Sequence, residues 1–279
     1  MTVKIITDST SDITAEEGAE LGITVIPLTV MFGREAYLDR VTITTEEFYR
    51  RLTTGNVFPT TTQPPPSTYA EVYDKLADET DEVLVITLSA KLSGTYQSAV
   101  SAIEMMQKKC RVEVIDSQMV AMGQGLVALA AASAAQQGAK LDELSDLARD
   151  ALTRSHWITY FDTLKYLAKG GRIGKAQGLL GSMLSIKPIL TVKEGEIHPV
   201  TRLRSQAAGV EYLYNYVTSF QRIEELAVEH TTLPDEADRL ADRLRAAFPD
   251  VNIRRSIVSP VLGVHGGPNA IAVTVLEAK

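Results

Sequence analysis

The stretch Val83-Leu84-Val85-Ile86-Thr87-Leu88-Ser89-Ala90-Lys91-Leu92-Ser93-Gly94-Thr95 decides the fold class. The run at 83–88 is almost wholly apolar, too short for a typical helix and without polar alternation, which is the pattern of a strand buried on both faces of a sheet. Small and hydroxylic residues then turn the chain, and an amphipathic stretch follows to about Lys108. Strand, short turn and helix form the repeating unit of a parallel α/β sheet. Apolar runs at 3–7, 23–32 and 112–115, with helical patterns between several of them, carry the unit across the first half of the chain. The expected architecture is α/β, with an N-terminal Rossmann-like parallel sheet.

Local signals fill in the rest. A helix beginning near Thr44 has Glu47 at capping-box spacing and places Phe48 and Leu52 on one face. Residues 56–66 dissolve into Thr and Pro and read as a loop, stiffened by Pro64-Pro65-Pro66 ahead of a helix at 67–77. An Ala-rich tract at 120–135 is too short and too weakly apolar to span a bilayer and reads as a buried helix. A helix at 141–153 follows. The texture then changes: strands are expected at 157–161, 186–192, 225–229, 251–258 and 270–275, with helices at 205–220 and 235–247 and a glycine turn, Gly170-Gly171-Arg172-Ile173-Gly174, among them. Two α/β domains, 1–155 and 156–279, are expected.

Composition bounds the chemistry. With 28 Lys plus Arg against 35 Asp plus Glu, the 279-residue chain has a formal charge of −7, the wrong sign for a general nucleic-acid or anionic-membrane binder. The single cysteine, Cys110, rules out an internal disulfide framework and fits a reducing cytoplasm. No export signal is apparent at the N-terminus. His156, His198, His230 and His265 are scattered, so no metal site is expected. Gly123, Gly125 and Ala128 match a dinucleotide fingerprint only in spacing, because residues 117–122 separate them from the preceding strand. Gly174-Lys175 lacks both the earlier glycine and the following hydroxyl of a phosphate loop. No cofactor is expected.

Hydroxyl clusters are the more informative feature. Ser93-Gly94-Thr95 lies between a strand and a helix, where hydroxyls and exposed amides can hold an anion; the plain alternative is that Ser93 or Thr95 caps the helix. Lys91 and Thr95 stand where a nucleophile elbow needs glycines. Thr60-Thr61-Thr62-Gln63 forms a second cluster, readable as turn chemistry or as part of the same ligand crevice. Asp8-Ser9-Thr10-Ser11-Asp12 follows the first strand, but its carboxylates would repel an anion, which assigns it to capping and scaffolding. His265-Gly266-Gly267-Pro268 precedes the last strand as a glycine-rich turn whose histidine could donate to a carboxylate. Arg172, in its glycine cradle, and the pair Arg202 and Arg204 could bind phosphate or carboxylate bidentately; solvated surface arginines are the alternative.

In order along the chain, Asp8-Ser9-Thr10-Ser11-Asp12, Thr61-Thr62-Gln63-Pro64, Leu92-Ser93-Gly94-Thr95-Tyr96-Gln97-Ser98, Lys169-Gly170-Gly171-Arg172-Ile173-Gly174, Arg202-Leu203-Arg204 and His265 to Pro268 resemble the DegV family over nearly the whole chain. Gly266 and Asn269 alter that family's usual His-Thr-Gly-Pro-Gly turn. The resemblance implies a two-domain α/β carrier that holds one long-chain fatty acid in an apolar tunnel. It would present the carboxylate to the catalytic subunit of a fatty acid kinase for conversion to acyl-phosphate. On that basis Thr61, Thr62, Ser93, Gly94, Thr95 and His265 contact the ligand, Arg172 and Arg202 serve partner docking or the acyl-phosphate, and the chain has no catalytic residue. Transient membrane contact would serve lipid exchange. Burying about 14 methylenes at roughly 0.8 kcal/mol each is worth on the order of 11 kcal/mol before association costs. Two other readings compete: a small-molecule hydrolase or phosphotransferase using Ser93 and His265, and a lipid-responsive interaction module without a kinase.

Overall fold

The computed structural model describes residues 2–179 and 186–279. From the N-terminus the chain forms β1 (Lys4–Asp8), α1 (Ala15–Leu21), β2 (Ile23–Ile26), β3 (Thr29–Phe32), β4 (Glu35–Leu38), α2 (Thr45–Thr54), β5 (Thr60–Thr62), α3 (Pro66–Leu76), β6 (Glu82–Thr87), α4 (Thr95–Ile103), β7 (Arg111–Asp116), α5 (Met122–Gln136) and α6 (Leu141–Thr153). It continues through β8 (Ser155–Tyr160), α7 (Lys165–Lys169), β9 (Lys187–Lys193), β10 (Glu196–Leu203), α8 (Gln206–Thr218), β11 (Ile223–His230), α9 (Pro234–Ala247), β12 (Ile253–Ile257), α10 (Pro260–Gly266) and β13 (Ile271–Glu277).

Strands β2, β1, β6 and β7 pair in that order as a parallel sheet. Ile5, Leu84 and Ile86 turn to α5 and α6, while Ile6, Val83 and Val85 turn to Tyr69 and Tyr73 of α3 and Ala99 and Ala102 of α4. Apolar residues on both faces are what the unbroken run at 83–88 encodes. A second sheet runs β10-β9-β8-β13-β11-β12 and is antiparallel except for the β11–β12 pair. Its strands all lie from Ser155 onward, so the change of sheet coincides with the α6–β8 junction.

Helix α5 lies between the two sheets. Its cluster joins Ile5 and Leu84 of the parallel sheet to Ala227 and Leu276 of the second. A helix covered on both sides needs no polar face, which explains the Ala-rich run from Ala128 to Ala135.

Four expectations are corrected. The apolar run at 23–32 is two strands, not one: Pro27, which has no amide hydrogen to continue a ladder, and Leu28 separate β2 from β3. Strand β3 belongs to a small antiparallel sheet, β4-β3-β5. Thr60–Thr62 is therefore a strand rather than loop, with Thr61 opposite Val30 and Thr62 opposite Thr29. The helix after Ser93 ends at Ile103, not Lys108, and Asp74 takes up the Gln107 and Lys108 amides that follow. His265 lies in the last turn of α10 rather than in a glycine turn.

Candidate functional site

The motif after β1 builds the frame. Asp8 caps the short turn Ser9–Ser11 by accepting from Thr10 N (3.0 Å), and Asp12 follows in the left-handed region at φ 57°. Asp12 Oδ1 accepts from the Ser259 amide at 3.0 Å, and Ser256 Oγ donates to the Asp12 carbonyl at 3.2 Å. These bonds tie the first half of the chain to the residue that precedes α10. Burial pushes the Asp12 carboxyl up to about 6 and that of Asp39 up to about 7.

Helix α10, fixed at that end, carries Val261, Leu262 and His265 along one cavity. The cavity there has a volume of about 110 Å³ and is partly open to solvent. Strand β8 contributes Trp157 and Thr159 and is followed by Phe161, alternate residues on one face, and β13 with the residue before it contributes Ala272 and Ala270. Leu28, Leu88, Val120, Leu167, Ile197 and Val258 complete an apolar wall. Ala272, small and opposite Thr159, leaves space that a larger side chain would fill.

Polar groups converge on one part of this wall. Thr61, Thr62, Gln63, Ser93, Arg172 and His265 all line the cavity, brought together from β5, the β6–α4 loop, the loop after α7 and α10. Thr62, Gln63 and Arg172 are exposed and mark the mouth. Among the described lining residues no carboxylate occurs, and Arg172 is the one permanent cation. Arg172 donates to Leu92 O (3.2 Å) and Gly170 O (2.8 Å), so it braces the loop that carries Ser93.

His265 Nε2 and Thr61 Oγ1 are 3.0 Å apart. Nδ1 is buried with no partner, and it packs so closely on Gly170 that a Cβ there would lie 2.3 Å away. The arrangement that leaves no buried N–H unpaired puts the proton on Nε2, donating to Thr61 Oγ1. The Thr61 hydroxyl is then free to donate onward. Burial, with a smaller contribution from Arg172, holds the imidazole down to about 4, so the ring is neutral at physiological pH. Positive charge in the cavity comes from Arg172 instead.

Ser93 Oγ and Thr95 Oγ1 are 2.9 Å apart, and Thr95 N donates to Ser93 Oγ at 3.3 Å. Gly94, not a hydroxyl residue, occupies the N-cap of α4, and no side chain caps that helix. Thr95 is fully buried and outside the lining, as is Gly94. Gly94 matters by being bare: a Cβ there would lie 2.4 Å from Gln63 Nε2, so a larger residue would have to push the Gln63 amide aside. The two arginines separate. Arg172 stands in the cavity with Ser93, whereas Arg202 is exposed on β10, an edge strand, outside the lining. Asn269 adopts φ 59°, and its amide is fixed by Thr232, whose Oγ1 donates to Asn269 Oδ1 at 3.0 Å and accepts from Asn269 N at 2.9 Å.

A family model described as "Uncharacterised protein, DegV family" matches residues 2–278. The chain belongs to the DegV family. A DegV domain-containing protein of Caldanaerobacter subterraneus subsp. tengcongensis is 37% identical over 274 residues, covering 97% of each chain. Two solved structures superimpose over the full length of both chains: a fatty-acid-binding DegV family protein from Thermus thermophilus (TM-score 0.92, 31% identical) and DegV, a fatty acid binding protein from Bacillus subtilis (TM-score 0.93, 29% identical). The mixed α/β architecture of this DegV protein is thus that of solved fatty-acid-binding relatives.

Sequence reasoning missed much of the cavity wall, including Trp157, Thr159, Thr231, Ala270 and Ala272. The period-two alternation of Trp157, Thr159 and Phe161 was the available signal. What it lacked was knowledge of which strand stands alongside.

Proposed function

We propose that this DegV protein holds one long-chain fatty acid, with its carboxylate at Ser93, Thr61, Thr62 and Arg172 and its chain along the apolar wall. It presents that carboxylate to a partner kinase for phosphorylation. The observation that carries the reading is the polarity gradient of a single cavity: Thr61, Thr62, Gln63, Ser93 and one guanidinium gather at the mouth, and the remainder is lined mainly by Leu, Ile, Val, Ala, Trp and Phe, with Thr159 and Thr231 its two hydroxyls. Hydrogen bonds to a charged head are worth roughly 1.5–3 kcal/mol each, so the acyl chain supplies most of the affinity while the mouth sets orientation. His265 acts through Thr61 by fixing its hydroxyl. The ligand lies between two units, 1–155 and 156–279, whose sheets share helix α5.

Exposure of Thr62, Gln63 and Arg172 leaves a bound head group within reach of a second protein. Arg202, outside the cavity, is the better docking candidate. Beside the mouth, Phe58 stacks on Tyr166 (5.9 Å) and the Lys169 ammonium lies 4.0 Å over the Phe58 ring. Such a basic and aromatic rim suits transient contact with an anionic membrane surface during lipid exchange. Cytoplasmic residence follows from such a partner and fits the lone cysteine. Among the described residues no helix is long and apolar enough to cross a membrane. The hydrolase alternative loses ground: His265 Nε2 bonds Thr61, and Ser93 Oγ bonds Thr95, so no serine–histidine pair forms.

Mass spectrometry of a denaturing extract of the purified protein tests the ligand class. A stoichiometric C16–C18 fatty acid is expected; absence of such a lipid, together with no binding of added fatty acid by calorimetry, overturns the reading. For the kinase step, Arg202→Glu should purify with lipid while acyl-phosphate formation with a cognate kinase falls at least about tenfold, equivalent to about 1.4 kcal/mol. Unchanged transfer removes Arg202 from the docking surface.

A further inference from the structure

The cavity has a second boundary, opposite its mouth. His265 sits in the last turn of α10, whereas Val258 lies two residues before that helix begins. Seven residues separate them, on the order of 10 Å at the helical rise of about 1.5 Å per residue. Val258 therefore lines the end remote from the hydroxyl cluster, with Val261 and Leu262 between.

An outer groove begins directly behind this end. Thr45 and Tyr49 of α2, His230 at the end of β11, Thr232, and Ser256 and Ile257 of β12 line it, and Thr231 lines both the groove and the inner cavity. Thr231 is thus a wall common to the two spaces. Tyr49 backs Val258 from the groove side: it is 6% exposed, and its phenol donates to the Val258 carbonyl at 3.0 Å. Thr231 is held in place through its Oγ1, which accepts from the Ala270 amide at 2.9 Å. The groove face is open, and Ile257 beside it is 42% exposed.

We propose that the partition of Thr231, Val258 and Tyr49 is the chain-length stop of the acyl tunnel, and that thinning it joins the tunnel to the outer groove, so that longer chains thread out between α2 and β12. The inference rests on the fatty-acid reading above and adds to it the residues that select acyl length. A rigid, hydrogen-bonded stop discriminates sharply, because a tail one methylene too long must displace packed side chains. One methylene in a hydrophobic pocket is worth about tenfold or more in selectivity.

The test uses the full-length protein, delipidated, with saturated fatty acids from C14 to C22 in competition and mass spectrometry of the lipid that co-purifies. For Tyr49→Ala, the C20-to-C16 affinity ratio should rise at least about tenfold. Thr231→Ser keeps the hydroxyl that holds Ala270 N, removes one methyl, and should move the ratio in the same direction by less. It carries the test if Tyr49→Ala fails to fold. Wild-type protein that binds C16–C18 chains, with the length ratio unchanged in the folded variants, overturns the stop while leaving the fatty-acid reading intact. Wild-type protein that binds no fatty acid of any length overturns both.

Discussion

The two faces of the six-stranded sheet use the same strands for opposite ends. On one face Ile158, Tyr160, Ile271 and Val273 pack against Leu213 of α8 and Leu240 and Leu244 of α9. Packing there is so close that a Cβ on Gly209 would lie 2.3 Å from the Tyr160 ring. On the other face the alternate residues Trp157, Thr159, Ala270 and Ala272 border a cavity. Ala272 stands opposite Thr159 in register, so two small side chains meet where the opposite face has Ile271 beside Tyr160. One face stores stability. The other gives some up for space, which is how a binding site is made from a sheet without altering its hydrogen bonds.

The sharpest way to break this asymmetry is to fill the empty face. Ala272→Phe places a ring in the cavity beside Trp157. We expect co-purifying fatty acid to vanish while the thermal unfolding midpoint holds or rises, because the added carbon occupies existing space. Retained lipid in a folded variant would show that the acyl chain lies elsewhere. The reciprocal change is Leu213→Ala on the packed face, where the side chain is fully buried. Deleting it should cost about 2–5 kcal/mol of stability, measured by urea unfolding, with the acyl profile of the bound lipid unchanged.

The difference between the faces also marks what the sequence could reveal. Strands in the parallel sheet are legible because both of their faces are buried and the apolar run at 83–88 says so locally. The resemblance also singled out Thr61, Thr62, Ser93, Arg172 and His265, which the structure gathers at one mouth. Strand β10 went unseen: it is an edge strand with Pro199 and several polar residues, and pairing rather than composition makes it a strand. His265 looked like part of a glycine turn because Gly266 and Gly267 follow it, yet Pro260 opens a helix that reaches it. The cavity itself was illegible. Ala272 is small in any sequence; only the register with Thr159 turns it into a missing wall.

At the mouth the expected effects are smaller. Ser93→Ala should weaken fatty-acid binding by about 1.5–3 kcal/mol by calorimetry with the fold intact. Thr62→Ala should act in the same direction, and the double variant should fall short of additivity, since both groups would hold one carboxylate. Strict additivity would place the two hydroxyls on separate ligand groups.

The smallest effect concerns Glu229, whose carboxyl lies on the cavity side of the sheet but behind the wall. Its Oε1 accepts from Met122 N at the start of α5 (2.8 Å), and Oε2 accepts from Thr274 Oγ1 (2.9 Å). Burial, with some help from Asp12, pushes this carboxyl up from 4.5 to about 8. A folded value above the unfolded one means a contribution to stability that is whole below pH 4.5 and lost as pH rises through about 8. Asp12 and Asp39 act in the same sense at lower pH, whereas His265, held near 4, contributes above its ordinary 6.5 and loses that as pH falls. The wild-type curve mixes these with Asp8, whose carboxyl burial also raises, and His230, whose imidazole burial lowers, so the informative quantity is a difference. Glu229→Gln keeps an acceptor for Met122 N and has an N–H that can donate to Thr274 Oγ1, imitating the protonated acid. At pH 5 the variant and wild type should unfold at nearly the same urea concentration. By pH 9 the variant should be the more stable, because it has no buried carboxylate to ionise. Parallel curves across that range would show that Glu229 is ionised throughout, and the cavity side of the sheet would then hold a permanent buried charge at the start of α5.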